Sequence, residues 1–271
     1  MNHTTLKVVR DAGVAWITLD HPDTLNALSG TTVEELSHAV KELEEDAVVR
    51  VVVVTGAGKA FAAGADIAYM SRLTPEEARR FSADTSRIYE QIRTSQKVYI
   101  AAVNGFALGG GCELALACDL CIASERAKFG LPEVSLGILP GGGGTQRLSL
   151  RVGAQRAKAM ILTGDPIRAA EALEMGLVLQ VVPAEELVSA ARALAERILK
   201  NAPLAVRYAK ECIQCSERTV LAAGIEQENL LFGLCFAVSD QREGMSAFLE
   251  KRPPHFQKTL KEAGPHAEHC V

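Results

Sequence analysis

Two glutamates beside glycine-rich segments suit acid/base chemistry next to a site for developing negative charge. Gly109-Gly110-Gly111 lies where a strand and loop pass into a helix carrying Glu113, so N–H groups at the helix start are free to meet an anion. A carbonyl oxygen that gains charge during reaction would be stabilised there. Glu113 follows Gly110 by three residues and falls on about the same face, one turn further in. Ala62-Ala63-Gly64-Ala65-Asp66 is a second small-residue approach, ahead of a short helix expected from Asp66. The N–H groups of Ala65 and Gly110 are placed to clamp one oxygen. Glu133 follows Pro132 in a non-helical stretch, before Gly141-Gly142-Gly143-Gly144. Read singly, Glu113 fits an exposed acid beside a tight turn and Glu133 a surface acid; their company is what favours chemistry.

Other motifs fall away. Thr55-Gly56-Ala57-Gly58-Lys59 follows a strand, but Phe61 stands where a dinucleotide fingerprint needs a small residue, and Val53 and Ala60 break a P-loop. Cys118/Cys121 and Cys212/Cys215 have C-x-x-C spacing, yet the pairs are far apart and no adjoining His completes either. His266 and His269 belong to an expected frayed tail, and no catalytic metal is expected. Seven cysteines, an odd number in a long chain, suggest reduced thiols rather than a disulfide framework.

The elements that must position these residues are legible by period. Val8 to Arg10 and Val14 to Leu19, split by Asp11-Ala12-Gly13, read as a hairpin. Thr31 and Glu34 suggest a capping box for a helix to about Asp46, and Val51 to Thr55 a buried strand. Pro75 opens a helix to about Arg93, and a strand near Val98 to Val103 leads to the glycine triplet. Helical character follows over Cys112 to Cys118, then a strand over Leu120 to Ala123. Helices are expected at 143–152, 154–162, 168–175 and 185–199, with a short strand at Val178 to Val182. Beyond Pro203 the pattern is helical over Leu204 to Cys215, Val220 to Val238 and Arg242 to Lys251, stopped by Pro253-Pro254. The fold class is α/β, a strand-strand-helix unit that recurs, followed by a helical region. The expected division is a catalytic core over 1–200 and a helical region over 201–271.

Composition narrows the class of partner. The 271 residues carry 33 acidic and 29 basic side chains, a net charge of −4, with no dense Lys/Arg block, so nucleic acid is not the expected partner. The longest uncharged stretch, Val98 to Cys112, is too short and glycine-rich to span a bilayer. Met1 to Arg10 has no signal-peptide core, so a cytoplasmic setting is expected.

Four ordered motifs resemble the crotonase, or enoyl-CoA hydratase/isomerase, superfamily. They are Phe61 to Ile67, Ala101 to Leu114, Phe129 to Glu133 and Gly137 to Leu148; Leu25 to Leu28 and Asp240 to Phe248 extend the likeness, which runs from about Leu6 to Pro253. The resemblance implies a crotonase-like spiral of ββα units, a helical C-terminal region that assembles homotrimers or homohexamers, and an acyl-CoA thioester substrate, with no cofactor beyond that coenzyme A. It implies that Ala65 and Gly110 donate to the thioester oxygen and that Asp66, Ile67 and Ala68 flank the acyl and pantetheine path. Leu25, Ala27, Ala63 and Ile67 match the region that meets the CoA nucleotide. Glutamate at both 113 and 133 is the pattern of family hydratases, hydro-lyases that add water across a 2,3 double bond. On that pattern Glu113 activates water and Glu133 supplies a proton at C2.

Two departures stand out: Val98 where the family often has proline, and Gly142 where it often has a side chain, which is expected to loosen the loop near Glu133. Alternatives are an enoyl-CoA isomerase, a hydratase for a branched, hydroxylated or aromatic-pathway acyl group, and a non-catalytic CoA-ester or RNA-binding relative. Apolar faces with Leu221, Ile225, Leu230, Leu231 and Phe236 suit subunit joining. Lys251, Phe256 and Lys258 are candidates to reach a neighbour's ligand.

Overall fold

The computed structural model describes residues 3–217 and 219–257; Lys258, His266 and His269 lie outside the described residues. A hairpin opens the chain, strand β1 (Leu6–Asp11) pairing antiparallel with β2 (Val14–Leu19) through a turn in which Ala12 and Gly13 both take positive φ. Helix α1 (Gly30–Glu45) follows, capped by Ser29, whose hydroxyl accepts from the Thr32 N–H. The expected Thr31/Glu34 box is therefore not the cap. Leu28 is still held in a β-bridge to Ala65, so the chain turns into the helix directly after it, at Ser29.

Three strand-strand-helix turns then wind forward. In the first, β3 (Val51–Gly56) and β4 (Ala60–Ala63) lead through the short α2 (Ile67–Met70) into α3 (Pro75–Thr94), whose start carries a Thr74/Glu77 capping box. The second is β5 (Val98–Val103), β6 (Phe106–Leu108) and α4 (Gly110–Ala117). The third runs through β7 (Leu120–Ser124), β8 (Lys128–Gly130) and a 3₁₀ turn, Pro132–Leu136, into α5 (Gly144–Val152). The first strand of each unit joins a six-stranded sheet that β10 (Gln180–Val182) completes, ordered β1-β2-β3-β5-β7-β10, and the second joins a four-stranded sheet that β9 (Ile167–Arg168) completes, ordered β4-β6-β8-β9. This is the expected spiral. The short strands β4, β6 and β8 had no sequence signal of their own, because three or four residues are too few for an alternating pattern.

Period two explains how one strand serves two cores. Val52 and Val54 face a cluster with Ile17, Leu36, Tyr89 and Ala101, while Val51 and Val53 face Trp16, Ile100, Leu187, Ala191 and Ala195. A strand buried on both faces reads as the continuous apolar run seen in the sequence. The second cluster is closed by a helix from further along the chain. After α6 (Ala154–Thr163), β9 (Ile167–Arg168), α7 (Ala169–Glu174) and β10 (Gln180–Val182), helix α8 (Leu187–Leu199) buries Leu187, Ala191 and Ala195. The expected strand at Val178 starts two residues later, since Val178 packs into the first core ahead of the ladder.

Helices α9 (Pro203–Cys215), α10 (Leu221–Cys235) and α11 (Ser239–Leu249) end the described chain. Lys210 ties α9 to the core, its Nζ donating to Asp119 Oδ2 at 2.8 Å and to the Lys97 carbonyl at 2.7 Å. Leu221, Ile225, Leu230 and Phe236 are exposed, but Leu231 is buried within the subunit and does not belong to that face. Phe232, Phe248 and Leu249 extend the exposed apolar surface instead. Phe256 packs on α11 at Gly244. Among the described residues no single helix is long and apolar enough to cross a membrane.

Candidate active site

The glycine triplet brings two turns of the spiral into contact. A Cβ on Gly111 would overlap the carbonyl of Ala62 in β4, so only glycine lets the first turn of α4 rest on that strand. Gly109 takes φ +50°, ψ −125°, a conformation natural to glycine, and its backbone approaches Gly64. The residues that follow each of these glycines, Gly110 and Ala65, are thereby held close together. Leu28 N–H donates to Gly64 and Asp66 N–H to Leu28, on either side of Ala65. Neither the Ala65 nor the Gly110 N–H meets a backbone acceptor among the described residues, and both residues line one cavity of 560 Å³.

Glu113 and Glu133 also line that cavity, both buried, at 3% and 8% exposure. This corrects the reading of either one as a surface acid. Glu113 projects from the first turn of α4, and its Oε1 accepts from the N–H groups of Gly142 at 2.8 Å and Gly144 at 2.7 Å. Burial pushes its pKa upward, and the two N–H donors and the Arg147 charge oppose that shift. Glu133 sits at the start of the 3₁₀ turn, beneath Gly109, and its Oε2 is buried without a partner. Burial, with the Glu113 charge adding to it, pushes its pKa up to about 7 against the opposing pull of its own backbone N–H. Burial thus raises the pKa of both carboxyls, but only Glu113 has two loop N–H donors and a nearby guanidinium working against the rise, and unequal surroundings of this kind suit a pair of carboxyls to acid/base work.

Ala63 and Ile67 join Ala65, Gly110 and the glutamates in the cavity wall, while Leu25, Ala27, Asp66 and Ala68 do not. Asp66 is engaged as the cap of α2, its Oδ1 accepting from the Tyr69 N–H. The Leu25 carbonyl accepts from Ala63 N–H, so its segment supports the wall from behind. Asn26 fixes that segment: fully buried, it donates to the Ala57 and Ala60 carbonyls and accepts from the His21 N–H. Met70 of α2, Leu73 between the helices and Phe81 of α3 line the cavity together with Leu136, Ile138 and Leu139.

Residues without an assigned role in the sequence complete the site. Tyr89, buried in α3, donates to the Gly110 carbonyl at 2.8 Å. Ser82 and Ser86 both donate to the Gly141 carbonyl, at 2.6 and 3.0 Å. Their spacing on α3 follows helical period, but nothing local pointed to the loop they hold. Gly142, expected to loosen a loop near Glu133, instead serves Glu113: its N–H is engaged, and a Cβ there would crowd Glu113 Oε2.

A spiral of ββα turns with two buried carboxyls and two open N–H groups lining one cavity is an arrangement suited to acid/base chemistry beside a developing oxyanion. The chain belongs to the enoyl-CoA hydratase/isomerase family, whose model matches residues 9–259. It is 46% identical to a short-chain-enoyl-CoA hydratase of Clostridium acetobutylicum over 90% of this chain and 94% of that one. It is also 46% identical to a crotonyl-CoA hydratase of Syntrophomonas wolfei, over 94% and 99% of the two chains. A solved enoyl-CoA hydratase from Bacillus anthracis superposes with a TM-score of 0.91 at 41% identity, covering 94% of this chain and all of that one.

Proposed function

We propose that the protein is an enoyl-CoA hydratase, a hydro-lyase that converts a 2-enoyl-CoA thioester and water to the 3-hydroxyacyl-CoA. The observation that carries this reading is the asymmetry of the two carboxyls on one cavity: Glu113 accepts from two N–H donors that favour its anion, whereas Glu133 is unpartnered at Oε2, with its pKa raised to about 7. Glu113 takes a proton from water as its oxygen bonds to C3. The C2–C3 π electrons move toward the thioester, and the oxygen charge rests on the N–H groups of Ala65 and Gly110. Glu133 delivers its proton to C2, restoring the carbonyl, and the two carboxyls regain their starting states by exchange with solvent. The addition is redox-neutral and draws on the substrate's own thioester for activation, so the reading assigns no role to a metal or a cofactor outside the coenzyme A of the substrate.

The same reading takes the exposed apolar faces of α10 and α11 as the seam of a homotrimer or homohexamer, with residues 201–271 as the assembling region and 1–200 as the catalytic core. A cytoplasmic setting accords with the six described cysteines, all free thiols. The test is crotonyl-CoA against a 3-enoyl-CoA. Loss of the conjugated thioester absorbance with the first, far faster than its appearance with the second, is expected; the reverse ranking would make the protein an isomerase.

A further inference from the structure

The loop that holds Glu113 is gripped from its other side as well. Arg147, at the start of α5, donates from Nη1 to the Gly142 carbonyl at 2.5 Å, the residue whose N–H binds Glu113. A Cβ on Gly142 or Gly144 would crowd the Glu113 carboxylate, and one on Gly143 would overlap the Arg147 guanidinium. The loop is therefore one layer of backbone between a carboxylate and a guanidinium. The Arg147 side chain is only 15% exposed, its Nε is buried without a partner, and Glu90 Oε2 lies 3.6 Å from Nη2. Arg93 grips the same Glu90 through Nε and Nη2, at 2.9 and 2.8 Å. Keeping a guanidinium so deeply placed is costly unless its charge is used, since a neutral donor would satisfy the carbonyl equally well.

Resting on the hydratase reading, we propose that Arg147 is a positioning residue for the reaction: its charge, acting through the loop, keeps Glu113 ionised as the base, and its bond to Gly142 holds that carboxylate in register. The groups that interact with Glu113 electrostatically are Arg147 from α5, Tyr89 from α3, Cys112 from α4 and Glu133 from the 3₁₀ turn. Arg147 supplies the positive charge among them, so removing it leaves only the Gly142 and Gly144 N–H groups to oppose burial, which favours the protonated form of Glu113.

The test compares Arg147→Gln with Arg147→Lys in the full chain. Glu113 is titrated by its carboxyl infrared band, assigned by its loss in Glu113→Gln, and the pH profile of crotonyl-CoA hydration is measured alongside. Arg147→Gln is expected to move the Glu113 titration and the acid limb of the profile to higher pH. It should lower kcat roughly 10–100-fold at neutral pH, the worth of a charge-assisted hydrogen bond, with KM changed little. Arg147→Lys should keep the titration and recover most of the rate. Arg147→Met, which removes the charge and the bond to Gly142 but keeps an unbranched side chain, should move the titration in the same direction and serves if Arg147→Gln does not fold. An unmoved titration, a rate lost equally at every pH, or a lysine variant no better than glutamine overturns the proposal. A wild-type protein inactive on crotonyl-CoA, with the infrared shift still present, would overturn the hydratase reading while leaving the electrostatic assignment standing.

Discussion

Glu113 and Glu133 line the same cavity under opposite conditions: Glu113 accepts two backbone N–H groups through one oxygen, whereas Glu133 Oε2 is buried with no donor. Burial raises the pKa of both, and the loops around these identical side chains decide how strongly each rise is opposed.

Replacing either carboxyl by an amide removes a proton acceptor or donor from the site. Glu113→Gln and Glu133→Gln are each expected to lower kcat for crotonyl-CoA hydration roughly 10²–10⁴-fold while substrate binding persists. The double variant should be little worse than either single one, because the two groups act as a unit. Stopped-flow rates with binding by calorimetry check this, and a Glu133→Gln variant near full activity would remove Glu133 from the mechanism.

Activity should fall as pH rises through about 7, where Glu133 loses its proton. The same shift has a thermodynamic sign. A carboxyl whose pKa is raised from 4.5 to about 7 holds more protons folded than unfolded in that window, so its contribution to stability declines as pH rises. Glu133→Gln should therefore gain in Tm relative to wild type between pH 5 and pH 8, measured by calorimetry at the two values.

Gly109→Ala places a Cβ 3.0 Å from Glu133 Oε1 and forces alanine into φ +50°, ψ −125°. Strain of this kind costs about 1–3 kcal/mol. The variant should melt lower and lose most of its kcat, because the same residue sets the direction of the Gly110 N–H; retention of full activity would detach that N–H from the chemistry.

Lys210→Met leaves Asp119 buried beside an apolar chain, with the Tyr99 N–H as its remaining donor among the described residues. Loss of one partner from such a pair costs about 3–5 kcal/mol, so chemical denaturation should show a loss of that order. Asp119→Asn in the same background should restore part of it, which a purely steric role for Lys210 would not allow.

Light scattering should give three or six times 29.0 kDa, and glutamate at Leu221 or Phe248 should release smaller species. A monomer at micromolar concentration would leave α10 and α11 without the seam assigned to them.

The sequence was most informative where one residue type had one physical explanation. Gly109 to Gly111 announced a close backbone approach, and Val51 to Val54 a strand buried on both faces, and both are as expected. What lay hidden was set by contacts distant in the chain. Glu133 is buried because β8 and the 3₁₀ turn carry it beneath Gly109, and no local pattern records that. The second sheet escaped notice because its strands are three or four residues long, and Ser29 took the cap from Thr31 because a bridge to Ala65 fixes where the helix can begin.

The Ala65 and Gly110 donors belong to the main chain, and every amino acid except proline supplies the same N–H. Point mutation in a lineage can therefore exchange Glu113 or Glu133 in a single step, while the two donors persist through almost any codon change that spares the glycine turns beside them. On the proposed reading, heritable variation would be channelled toward new acid/base combinations over a constant pair of donors, so a gene of this architecture could diverge in reaction without first losing those main-chain N–H groups.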